Sequence, residues 1–131
     1  MNNSPSLAPR TLLLFAFLLG APACGGDAAP PAKVATGFPC EVEAIIKAKC
    51  QTCHTEPPRM GAPIHILSYA DTQVAPPDDP KKKVWEYMEL YITMGFMPLK
   101  GSPTGPLTDP EKATMLGWLK GGPVASTTIC P

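Results

Sequence analysis

Cys50-Gln51-Thr52-Cys53-His54 is the stretch on which the reading of this chain turns. Its pattern, C-x-x-C-H, is the attachment signature of c-type haem. Two thiols three positions apart at a helix end can each add across one vinyl group of the same porphyrin. The adjacent imidazole then stands under the iron as an axial ligand. Cys50, Cys53 and His54 are therefore expected to hold haem c, with His54 on the iron. A structural zinc site draws on the same residue types but takes four ligands, as a rule with a second Cys/His pair at short spacing. Here the only other histidine is His65, and the remaining cysteines stand alone. A dithiol redox motif of the thioredoxin kind belongs beside a βαβ pattern, and no run alternates long enough to argue a strand.

Working outward, residues 1–23 read as an export signal. Arg10 precedes the apolar run Leu12-Leu13-Leu14-Phe15-Ala16-Phe17-Leu18-Leu19, and the small residues Gly20, Ala21 and Ala23 follow. A transmembrane helix takes about 20 apolar residues, so the run is too short to span. Ala21-Pro22-Ala23 fits an ordinary A-x-A cleavage site, leaving Cys24 as the mature N-terminus. The stretch from Leu19 to Gly26 also resembles a bacterial lipoprotein box, with Ala21 where Leu is usual and Pro22 between the small residues. That resemblance implies a lipid anchor on Cys24; the alternative is a free N-terminal thiol. Residues 24–37, rich in Gly, Ala and Pro, read as a flexible tether. Export puts the protein in the periplasm or cell envelope, held at a membrane surface if Cys24 carries lipid.

Residues 38–131 form the expected domain, and its composition points to short helices between kinked loops. The whole chain has 18 prolines and 11 glycines. A core this small needs help, which haem and a disulfide would supply. With Cys24, Cys50 and Cys53 assigned, Cys40 and Cys130 remain, and in an oxidising compartment they are expected to pair; the alternative is two unpaired thiols. Eleven basic and eleven acidic residues give no net charge, and nothing points to nucleic acid. A monomer is expected.

Three helices stand out, and the fold class is all-α. The first starts near Pro39-Cys40, has Glu41 and Glu43 in its first turn, carries Val42, Ile45 and Ile46, and delivers Cys50. The second follows Asp78-Asp79-Pro80 and runs from Val84 through Trp85, Met88 and Ile92 to a stop at Gly95. The last has Thr108 as cap and Glu111 three residues on, with Pro110 in the first turn. It runs through Met115, Trp118 and Leu119 to Gly121-Gly122-Pro123. A weaker helical turn is expected from Ile66 to Asp71. Lys81-Lys82-Lys83 opens the second helix, either steering an acidic redox partner or lying as a solvated face.

Helix, C-x-x-C-H, proline-rich loop, helix, Met97-Pro98, loop and a final helix with an aromatic: this order resembles the class I c-type cytochromes over the whole domain. The resemblance implies a small cytochrome c fold of three to four short helices around one haem. It implies a one-electron carrier rather than an enzyme, with protein donor and acceptor. Met97 is implied as the sixth iron ligand, because the family's ligand methionine commonly precedes a proline before the last helix; Met94 is the rival. The segment Gly61-Ala62-Pro63-Ile64 looks like the loop whose proline carbonyl accepts the second nitrogen of the ligand histidine, which implies Pro63 as acceptor. His65 is the other histidine that could bind the iron, but its closeness to His54 in the same loop argues against it, and it reads as a surface residue. Arg59, Tyr69 and Trp85 are candidates for hydrogen bonds to haem propionates. The family's packing of first against last helix implies Trp118 against Ala44 or Ala48, with Gly117 allowing close approach. The competing function is a haem protein with an open distal site, binding gas or reacting with peroxide.

Overall fold

The computed structural model describes residues 33–131. The expected signal, Cys24 and the tether up to residue 32 lie outside the described residues. Among those described there are four α-helices and no strand.

Helix α1, Cys40–Ile45, begins after Pro39, whose carbonyl accepts the Glu43 N–H at 2.8 Å. Proline suits this start because it has no N–H to leave unpaired. The helix continues as a π-helical turn, Ile46–Cys50, closed by Gln51 N–H on the Ile46 carbonyl at 3.0 Å. A π-turn inserts one residue into the helical frame, a feature frequent at functional sites. Here it re-aims the chain as it enters Cys50. Lys47 pairs with Glu43 one turn earlier, and that partner accounts for a glutamate only 5% exposed.

Helix α2, Tyr69–Gln73, starts three residues later than the sequence predicts. Asp71 reaches back to accept the Leu67 and Ser68 N–H groups at 2.8 and 2.7 Å, and these bonds fix the start at Ser68. Helix α3, Val84–Thr93, buries Val84, Met88 and Ile92, one face at a spacing of four. It ends as expected at Gly95, with φ 72°. The Gly95 N–H donates to Ile92 O at 3.2 Å and the Phe96 N–H to Tyr91 O at 2.8 Å, the paired bonds of a Schellman stop. Helix α4, Asp109–Leu119, has the expected reciprocal cap: Thr108 N–H donates to Glu111 Oε2 at 2.7 Å and Glu111 N–H to Thr108 Oγ1 at 3.4 Å.

Helix α4 packs on α1 and α3, and α2 packs on α3. The core between them is Phe38, Val42, Ile45, Ile46, Ile66, Val84, Met88, Ile92, Met115 and Leu119. The contact between first and last helices differs from the expected one. Ala44 and Ala48 are exposed, because the buried stripe of α1 is Val42, Ile45 and Ile46. Trp118 instead meets Phe38, just ahead of α1, edge to face with centroids 5.6 Å apart. Its indole N–H donates to Val124 O at 3.1 Å. Gly117 is exposed, and a Cβ built on it would meet nothing within 4 Å, so it allows no close approach.

The two ends of the domain are tied together. Cys40 and Cys130 are paired as a disulfide, Cα to Cα 5.3 Å, as the cysteine count predicts. The last two residues of the expected tether also belong to the fold: Thr36 O accepts Tyr69 N–H at 2.9 Å and Gly37 O accepts Ser126 N–H at 2.8 Å.

Candidate functional site

The π-turn hands the chain to a tight turn in which Cys53 and His54 N–H groups both donate to the Cys50 carbonyl, at 3.1 and 2.9 Å. This compact turn brings the two thiols and the imidazole to one side. Cys50 and Cys53 are free thiols. With His54 they line a cavity of about 210 Å³, whose other walls include Met97, Pro98, Leu99 and Met115. A second cavity, about 280 Å³, is lined by Cys50 and His54 together with Tyr87, Met88, Tyr91 and Met97. Cys50, His54, Pro63, Ile92 and Met97 border both, so the two are lobes sharing common walls.

Burial pushes the Cys50 thiol up to about 11, with the neighbouring Cys53 adding to the effect. Cys50 is thus held as a neutral thiol in an apolar wall. Cys53 Sγ lies 3.6 Å from the Met60 sulfur. Met60 is held with φ 55°, the left-handed region that side chains with a Cβ seldom adopt.

His54 Nδ1 lies 2.9 Å from the carbonyl oxygen of Ile64. A carbonyl only accepts, so Nδ1 carries a proton, and in the neutral ring Nε2 is then the nitrogen with a lone pair to offer a metal. The acceptor is Ile64, not Pro63. Ile66 N–H donates to the His54 carbonyl at 2.9 Å, and that pairing sets the loop register so that the carbonyl two residues back meets the ring. Pro63 contributes to the walls of both lobes instead.

Of the two methionines, Met97 borders both lobes, whereas Met94 borders neither and is 54% exposed. The Schellman stop separates them. Met94 caps the end of α3 on its outer side, and the reversal at Gly95 returns the chain towards the cavity. The expected propionate partners are not brought to the lobes. Arg59 is exposed, Trp85 packs against the hydrophobic core, and the Tyr69 hydroxyl donates to Pro123 O at 3.0 Å. His65 lies at the surface, as expected, between Glu56 at 2.8 Å and Asp71 at 3.3 Å.

Sequence reasoning missed the polar rim of the second lobe. Tyr87 donates its hydroxyl to Asp79 at 2.7 Å. That bond, followed by the Lys81 N–H, holds the Asp79 carboxyl below its ordinary range and leads the causes pushing Tyr87 up to about 12. Lys82 stands 5.5 Å from the Tyr87 ring centroid and Lys83 Nζ donates to Gln73 at 3.3 Å, so two lysines of the run turn to local partners. Lys49 was also unforeseen: its ammonium donates to Thr104 O at 3.0 Å and Pro106 O at 3.2 Å, fastening the loop after Met97 to the π-turn.

No protein-family model, curated protein or solved structure matches this chain. The donor set of the cavity nonetheless fits a covalent haem. It has two free thiols on one wall, an imidazole with Nε2 free, a thioether bordering the same space, and apolar side chains between them.

Proposed function

We propose that the chain is an exported monohaem electron carrier of the class I c-type cytochrome kind, tethered to a membrane through lipid on Cys24. The observation that carries this reading is the convergence of Cys50, His54 and Met97 on both lobes, with Cys53 beside them on the first. When bound, the haem would supply an iron that takes up and gives back one electron. Cys50 and Cys53 would hold the macrocycle by thioether bonds, and His54 Nε2 would bind the iron. The Met97 sulfur would be the second protein ligand to the iron, raising the potential and excluding small ligands. The protein's task is then to bury the ring, fix both ligands and present one edge to redox partners; none of its residues needs to act on a substrate.

Replacing Met97 by Ala tests the ligand set. The variant is expected to lose the weak ferric charge-transfer band of a methionine-ligated haem and to bind cyanide or imidazole readily, while Met94→Ala keeps the band. If the band survives in Met97→Ala, Met97 is not the ligand. If the unaltered ferric protein already lacks it, the distal side is open and the gas-binding or peroxidatic reading takes over.

A further inference from the structure

Gln51, inside the C-x-x-C-H motif, does two jobs at once. Its backbone N–H closes the π-turn on Ile46 O at 3.0 Å, and its side-chain amide donates to Ile66 O at 3.0 Å, fifteen residues along the chain. Ile66 N–H donates in turn to His54 O at 2.9 Å, and the His54 ring meets Ile64 O at 2.9 Å. These contacts close a ring: Gln51 to Ile66, Ile66 to His54, His54 to Ile64. The tripeptide Ile64-His65-Ile66 is thereby held at both ends by the motif that carries the thiols.

We propose that Gln51 is a positioning residue: by holding the Ile66 carbonyl it fixes the Ile64 carbonyl against His54 Nδ1, and so sets how strongly His54 Nε2 donates to the iron. The proposal rests on the electron-carrier reading. A backbone carbonyl receiving the ring N–H makes an imidazole a more basic ligand and lowers the iron's potential. Thr52, the motif's other variable position, is exposed, whereas the Gln51 side chain reaches the loop at Ile66 O. From outside, His65 lies between Glu56 and Asp71 at 2.8 and 3.3 Å. The loop therefore keeps a second attachment when Gln51 is altered, and the expected effect is a looser carbonyl rather than an unfolded chain.

The test uses the full haem-loaded protein and two variants, Gln51→Met, which keeps length and neutrality but has no donor, and Gln51→Lys, which keeps a donor. Exchange of the His54 ring N–H with solvent is followed by NMR in the ferrous state, and the midpoint potential is measured alongside. Gln51→Met is expected to exchange about fivefold faster, the loss of one hydrogen bond, and to have a higher potential, while Gln51→Lys exchanges at the original rate. Unchanged exchange and potential in Gln51→Met, or equal changes in both variants, overturns the proposal while the carrier reading stands. Absence of covalent haem from the unaltered protein overturns both.

Discussion

At the scale of single residues, the site depends on a few backbone and hydrogen-bond constraints that side-chain identity announces only in part. The gathering of Cys50, Cys53 and His54 on one cavity is legible because it follows from their close spacing. Met97 is legible only through the proline beside it, and its separation from Met94 is the work of the reversal at Gly95. Ile64 was not legible at all, because an accepting carbonyl belongs to any residue and only the pairing of Ile66 with His54 selects it. Arg59 and Trp85 carry suitable donors, but donors are common and nothing local says where they point. Gly37 shows a constraint hidden in an expected linker. Its φ is 84°, and a Cβ there would lie 2.8 Å from the Tyr69 Cβ. Gly37→Ala is therefore expected to destabilise the fold by about 1–3 kcal/mol, measured by urea unfolding.

Among elements, the ends of helices were more legible than their packing. The Thr108/Glu111 cap and the stops at Gly95 and Gly121 follow from local chemistry, and they hold in the structure. The π-turn does not follow from local chemistry, since its residues Ile46–Cys50 read as ordinary helix. Trp118 likewise has no local reason to choose Phe38 over an alanine, a choice settled by which face of α1 is buried. Gly117 is instructive because close approach was expected and open space is found. With a helical backbone and room for a methyl group, Gly117→Ala is expected to stabilise α4 by about 0.5–1 kcal/mol, seen as a higher unfolding midpoint.

The same caps give the fold an acid limit. Hydrogen bonds from Thr108 hold the Glu111 carboxyl below its usual range. Burial opposes ionisation of Asp71, but the Leu67 and Ser68 N–H groups, the Ser68 hydroxyl and His65 outweigh it and leave Asp71 lowered too. In that window the unfolded chain binds more protons than the folded one, so the stabilisation is present above the ordinary carboxylate pKa of about 4 and is lost as pH falls through the folded values. Urea unfolding from pH 6 to 3 should show this decline, and Glu111→Gln should make it shallower. An unchanged slope in that variant would mean that the cap does not couple to protonation.

As a whole molecule, the described domain has ten buried apolar side chains and two cavities meeting at the sequence motif. Its termini are joined by a bond across 90 residues, a closure worth about 4–5 kcal/mol in the chain-entropy account. That pairing was legible because each of the other three cysteines had another expected use. The overall helical class was legible from periodicity and from punctuation by proline and glycine, whereas the arrangement of walls around the cavity required the fold itself. The proposed haem would complete this small core by filling the largely apolar space beside it, and that is the central claim. Mass spectrometry of the exported, denatured protein tests it most directly. The account predicts one haem retained through denaturation and extraction, on the peptide containing Cys50 and Cys53, with neither of those thiols open to alkylation. A protein of haem-free mass in which both Cys50 and Cys53 are alkylated would contradict it.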